Sequence, residues 1–153
     1  MLVAGCVERV RARGNGVELQ CALAPCRVRG DRVRLERAVM NLLDNARKWS
    51  PPGSSVYVTV ADGAVVVRDE GPGIDAADLP YVFDRFYRSA DARRLPGSGL
   101  GLAIVRQVAE MHGGAVWATA PPRGSGAELH LQLPALPAAH VTSATSTTGP
   151  TSS

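Results

Sequence analysis

The sequence predicts an α+β domain, with one mixed or mostly antiparallel sheet and helices layered on one face. Three observations carry that prediction. A long amphipathic helical pattern follows Asp31 and reaches Lys48 or Trp49. Two alternating strands, 55–60 and 64–69, meet at Asp62-Gly63, a turn pair that favours a tight hairpin. A second helical pattern at 100–112 is followed by two more strands, so helices and strands do not alternate as they would in a purely parallel sheet.

Each element has a local reason. Residues 2–13 read as a short helix ending near Gly14-Asn15-Gly16, a turn signal. Val17–Leu23 and Cys26–Val28 read as short strands. Asp31 stands where an N-cap belongs, and Ser50-Pro51-Pro52-Gly53 stops the long helix behind it. Gly71-Pro72-Gly73 breaks the second hairpin strand, short helical pieces are expected at 76–79 and 80–86, and residues 87–98 form a polar loop. Gly113-Gly114 is a C-cap for the last helix, with strands expected at 115–119 and 127–133. From Pro134 onward Pro, Ala, Ser, Thr and Gly take over, which predicts a globular unit at 1–134 and a disordered tail at 135–153.

A chain of 153 residues that is 45% hydrophobic has enough apolar surface for a core. No apolar run has the length of a membrane span and no signal-peptide pattern opens the chain, so the expected location is cytoplasmic. The formal charge of +3 is mild and the basic residues are scattered, which argues against nucleic acid as a partner. Of the 17 basic residues only Lys48 is lysine. Cys6, Cys21 and Cys26 show no paired spacing, so they read as reduced thiols and not as a zinc site.

Three stretches carry the chemistry. In "RLERAVMNLLDNARKWSPPG", a projection at ~100° per residue puts Leu35, Val39, Leu42, Leu43 and Ala46 on one stripe and Asn41, Asn45 and Lys48 opposite it. That polar side is either a solvated face or a ligand set. Asparagine is a mediocre helix former, and an amide oxygen is a hard ligand suited to Mg²⁺, with a lysine one turn on to neutralise phosphate. In "VVVRDEGPGI", an apolar strand delivers Asp69 to its end and turns at Gly71 and Gly73. Asp69 is either a turn cap or an acceptor for an exocyclic amine such as that of adenine, the glycines then letting a flat ring approach the backbone. In "PGSGLGLAIV", Gly97, Gly99 and Gly101 form either a tight turn or an anion-facing loop at a helix N-terminus. The G-x-G-x-G spacing fits neither the dinucleotide fingerprint nor the P-loop.

Taken in order, "NLLDNARKWS", "DEGPGI", "FDRFYR" and "GSGLGLAIV" resemble the N, G1, F and G2 boxes of the ATP-binding catalytic domain of bacterial sensor histidine kinases, a branch of the gyrase, Hsp90, histidine kinase and MutL superfamily. The resemblance covers residues 5–134. It implies an α/β sandwich of the Bergerat type, holding ATP under a mobile lid. Carried over by position, Asn45 resembles the Mg²⁺ ligand, Asn41 and Lys48 the phosphate contacts, Trp49 an aromatic beside the adenine or ribose, and Asp69 the acceptor of the adenine amine. Arg88 would reach the γ-phosphate. Gly97, Ser98, Gly99, Leu100 and Gly101 would offer backbone N–H groups to the triphosphate, with residues 87–96, including Arg93 and Arg94, as the lid. The resemblance assigns Asn41, Lys48 and Arg88 a part in catalysis and ATP and Mg²⁺ as cofactors.

The chain departs from a complete kinase in its histidines. His112, His130 and His140 lie in no acceptor-like context, so the phosphorylated histidine is expected on a separate dimerisation and histidine-phosphotransfer domain, with a response regulator as an indirect partner. Two alternatives stand beside that reading: an anti-sigma-type serine kinase, and a nucleotide-dependent interaction module that transfers nothing. ATPases of the superfamily usually carry glutamate where this chain has Asn41, a poor general base.

Overall fold

The computed structural model describes residues 2–13, 16–84, 101–122 and 124–136. Its elements are α1 (Leu2–Ala12), β1 (Glu18–Leu23), α2 (Arg32–Trp49), β2 (Ser55–Ala61), β3 (Ala64–Arg68), a 3-10 turn at Leu79–Tyr81, α3 (Gly101–Met111), β4 (Ala115–Thr119) and β5 (Glu128–Gln132). The five strands form one sheet in the order β1-β2-β3-β5-β4. β1 and β2 pair in parallel, as a strand pair joined through a crossover helix must, and the other pairs are antiparallel.

Local signals account for the elements. The side chain of Asp31 accepts from the N–H groups of Val33 and Arg34 at 3.0 and 3.2 Å, which starts α2. The bond from Arg34 N–H leads the effects that hold the Asp31 carboxyl below the usual carboxylate range. At the other end the buried Ser50 hydroxyl donates to Ala46 O at 2.7 Å, ahead of the two prolines. Asp62 and Gly63 adopt φ of 52° and 82°, the left-handed pair that a tight β2–β3 hairpin needs. The end of α3 forms a Schellman motif: Gly114 N–H donates to Ala109 O, Gly113 N–H to Glu110 O, and Gly113 has φ 76°.

One apolar cluster holds these elements together. Val56, Val58, Val60, Val65, Val67, Leu129 and Leu131 line the inner face of the sheet. Leu35, Val39, Leu42 and Leu43 of α2, Val105 and Val108 of α3, and Val3, Val7 and Val10 of α1 pack onto them. The outer face carries no helix among the described residues. There the Arg68 guanidinium lies 4.2 Å from the Tyr57 ring centre, and the Trp117 and His130 rings stack with centroids 5.0 Å apart.

The structure corrects three local expectations. Residues 26–28 contribute a single bridge, Val28 to Ala135, because their partner is the short stretch after β5. Leu136 N–H also donates to Arg27 O at 2.7 Å, so ordered pairing continues past residue 134. Of the helical pieces expected at 76–79 and 80–86, residues 76–84 form turns and the 3-10 turn, and residues 85 and 86 lie outside the described residues. The loop expected at 87–98 and the residues after 136 lie outside the described residues.

Candidate functional site

Among the described residues, Asp69 is the buried carboxylate, and it and Ser50 are the buried polar ones. It lies one residue beyond β3. Its own N–H donates to Ala127 O at 3.0 Å, which prolongs the β3–β5 ladder, and its Oδ1 accepts from Gly71 N–H at 2.9 Å. Burial pushes its carboxyl above the usual carboxylate range, with the backbone amides of Gly71 and Ala127 working in the opposite direction. The neighbouring Glu70 turns elsewhere, its Oε1 accepting from Ser55 N–H at 2.8 Å at the start of β2. Of two adjacent carboxylates, only Asp69 points inward.

The glycines around Asp69 have a packing reason of their own, beside the expected approach of a ligand ring. A Cβ on Gly71 would collide with the carbonyl oxygen of Trp49, so this turn sits directly against the end of α2. Gly73 has φ 86°, and a Cβ there would lie 2.9 Å from Gly126 O. Gly126, which the sequence reading did not single out, is the tightest of the set: at φ 114° its missing Cβ would overlap the carbonyl oxygen of Asp69. In the sequence it sits in "RGSGAEL", an ordinary turn signal with nothing to connect it to a residue 57 positions earlier.

On α2, Asn41 and Asn45 are half-buried, Lys48 is exposed and Trp49 half-buried. Asn41 departs from the expected solvent-side placement. Its amide Nδ2 is shut off from water and has no hydrogen-bond partner among the described residues. A buried amide left in this state costs free energy, on the order of 1–3 kcal/mol, that a ligand atom could recover. Amide nitrogen and oxygen are exchangeable by rotation, so the same site could present either a donor or an acceptor.

The third wall is the start of α3. Asp31 N–H donates to His112 Nε2 at 3.0 Å, while His112 Nδ1 lies 2.7 Å from Val108 O, so the imidazole joins the C-terminal end of α3 to the N-cap of α2. With α3 packed along α2 from that junction, its N-terminal end points back toward the half of α2 that carries Asn41 and Asn45. Gly101 opens α3, exposed, and nothing lies within 4 Å of where its Cβ would be. Packing among the described residues therefore does not require glycine there. His112 and His130 are both occupied structurally, the latter by the Trp117 stack and by Thr119 Oγ1 at 2.9 Å. Arg88, Gly97, Ser98, Gly99, Leu100 and His140 lie outside the described residues.

A family model matches the part of the chain that carries these elements. The model for histidine kinase-, DNA gyrase B- and HSP90-like ATPases matches residues 30–137. The chain belongs to this family. It is 47% identical over 142 residues to the signal transduction histidine-protein kinase/phosphatase MprB of Mycolicibacterium vanbaalenii, an alignment covering 86% of this chain and 29% of that protein. The chain thus spans under a third of the length of the curated relatives it matches. Among solved structures, a mycobacterial sensor histidine kinase MprB superposes with a TM-score of 0.81 at 45% identity, covering 89% of this chain and 95% of that one. Full-length ShkA, solved in complex with AMPPNP, gives a TM-score of 0.73 at 30% identity over 91% of this chain and 30% of its own. The chain corresponds to the ATP-binding catalytic domain of a two-component sensor histidine kinase.

Proposed function

We propose that this domain binds Mg²⁺-ATP and donates the γ-phosphoryl group to a histidine on a dimerisation domain outside this chain. The observation that carries the reading is Asp69: an ionisable group kept buried, with one carboxylate oxygen engaged by Gly71 and burial working against its charge. Such a placement costs stability in the free protein and gains a purpose when an amine donates to it.

Each residue then has a task. Asp69 accepts from the adenine amine, and Trp49, whose carbonyl abuts Gly71, flanks the base or ribose. Asn45 holds the metal, while Asn41 and Lys48 contact phosphate oxygens. Gly101 and the residues before it, Gly97 to Leu100, present N–H groups to the phosphates, and Arg88 reaches the terminal phosphate. When bound, ATP supplies the transferable phosphoryl group and Mg²⁺ neutralises its charge; the protein's contribution is positioning. Asn41 occupies the place where a water-activating base would be needed, which disfavours simple hydrolysis. The acceptor domain is the direct partner, a response regulator the indirect one, and the cytoplasm the place where ATP is available.

The test is a calorimetric titration with a non-hydrolysable ATP analogue, with and without Mg²⁺, followed by incubation with labelled ATP and a separate dimerisation domain. Binding that strengthens with Mg²⁺ and acid-labile label on the partner alone are expected. Label on His112 or His130 of this chain would overturn the assignment of the acceptor.

A further inference from the structure

Apolar surface and unbalanced charge meet at the start of α2. Val33 is 76% exposed and Met111 54%, the two most exposed large hydrophobic side chains among the described residues. Arg34 joins them, following Val33 in the chain and holding its Nη1 3.4 Å from Met111 Sδ. Arg37, exposed, lies one helical turn from both Val33 and Arg34. The acidic residues around this turn are already engaged. Asp31 caps α2 and meets Arg34 Nε at 3.3 Å, Glu36 pairs with Arg9 and Arg32, and Glu110 pairs with Arg106. Arg29 and Arg37 make no side-chain hydrogen bond or ion pair among the described residues. An exposed apolar pair rimmed by uncompensated positive charge fits a protein surface that sets carboxylates around an apolar contact.

Position along α2 selects the protein. Gly71 abuts the Trp49 carbonyl, so the corner that holds Asp69 adjoins the C-terminal end of α2. Going back from there, Asn45, Asn41 and Arg37 follow at four-residue steps on one side of the helix, ~6 Å apart. With the base at Asp69 and phosphates along Asn45 and Asn41, Arg37 is the next step beyond the phosphate end. A protein that brings a side chain to the terminal phosphate comes against this turn. We infer that Val33, Arg34, Arg37 and Met111 form a docking surface for the domain that carries the acceptor histidine, met there by carboxylates around an apolar residue. The inference rests on the proposed transfer from ATP.

Docking and nucleotide contact are told apart by measuring each. Transfer from labelled ATP is followed as the concentration of the separate dimerisation domain is raised, and binding of a non-hydrolysable ATP analogue is measured on the same variants. Arg37→Glu should raise the half-saturating concentration of the acceptor domain about three- to ten-fold at low salt, and less at high salt. Val33→Ser should raise it about two- to five-fold at either salt concentration. Neither should change the maximal rate or the affinity for the analogue, which also shows that both variants are folded. Arg11→Glu makes the same charge change on the β1 side of α1 and should leave half-saturation as in wild type. Unchanged half-saturation in Arg37→Glu or Val33→Ser, an equal rise in Arg11→Glu, or a loss of analogue affinity in Arg37→Glu would overturn the inference. If wild type labels the acceptor domain while these variants match it, the transfer stands and the docking surface falls. If wild type binds the analogue but labels no acceptor domain, the proposed transfer fails and the inference falls with it.

Discussion

The corner around Asp69 and the polar side of α2 adjoin, yet they are held by opposite means. At Asp69 the backbone does the work: Gly71 N–H binds its carboxylate, Ala127 O takes its amide hydrogen, and Gly71, Gly73 and Gly126 admit contacts that any side chain would block. On α2 the polar side is set only by helical phase, with Asn41, Asn45 and Lys48 projecting from a regular helix. The first region is held by backbone contacts while burial works against the charge of Asp69; the second leaves the Asn41 amide nitrogen without a partner among the described residues. On the proposed function, that division suits a rigid, neutral base at one end of the nucleotide and a charged, metal-bearing chain of phosphates at the other.

The largest expected effect comes from breaking the backbone region. Gly126→Ala puts a methyl group into the Asp69 carbonyl at a positive φ, where no rotamer can relieve the collision. A loss of about 2–4 kcal/mol in unfolding free energy is expected, together with loss of nucleotide binding. Denaturant unfolding measures it, and a wild-type midpoint would mean that the corner is not built by close backbone approach. Gly30→Ala is a control of similar kind far from Asp69: its Cβ would strike the His112 ring, so stability should fall by about 1–3 kcal/mol while nucleotide affinity in the folded fraction changes little.

Asp69→Asn comes next and should separate binding from folding. Loss of the charged acceptor weakens ATP binding by about 10- to 150-fold, the value of one hydrogen bond to a charged group. The nucleotide-free variant should nevertheless be more stable than wild type at neutral pH. Burial raises the folded-state pKa of Asp69 above its unfolded value. Its contribution to stability is therefore complete below the ordinary carboxylate pKa and is lost as pH rises through the raised one. The gap between variant and wild type should widen from acid toward neutral pH. A gap that is constant with pH would show that Asp69 is not held against its charge.

Smaller effects are expected on α2. Asn45→Ala should remove most of the Mg²⁺ dependence of ATP binding and leave ADP binding without metal nearly intact, with a change in stability within about 0.5 kcal/mol. Equal Mg²⁺ dependence in variant and wild type would remove Asn45 from the metal site. Asn41→Ala deletes an amide whose nitrogen has no partner, so it should weaken nucleotide binding without destabilising the free domain. The smallest effect lies on the outer face of the sheet. Burial lowers the pKa of His130, so its contribution is present above the ordinary histidine value and lost as pH falls through the lowered one. His130→Gln should flatten that mildly acidic loss, read by thermal unfolding, without changing nucleotide affinity.

What the sequence by itself determined is whatever depends on neighbours along the chain. The cap at Asp31, the stop at Ser50, the hairpin turn at Asp62-Gly63 and the α3 ending at Gly113-Gly114 were legible because each is closed by hydrogen bonds spanning a few residues. Asp69 was legible as the carboxylate that an apolar strand delivers to its end, and the order of four short motifs was enough to suggest the family. Only the tertiary structure decided the rest. It placed β5 between β3 and β4, paired β1 in parallel with β2, and reduced residues 26–28 to one bridge because their partner is Ala135. It showed that Gly71 sits against the Trp49 carbonyl, that Gly126 sits against the Asp69 carbonyl, and that His112 serves the start of α2. The amide of Asn41 proved buried although helical phase put it opposite the core stripe. All of these are contacts between residues far apart in the chain, and such contacts follow from how the helices and the sheet pack, which no periodicity within a single segment records.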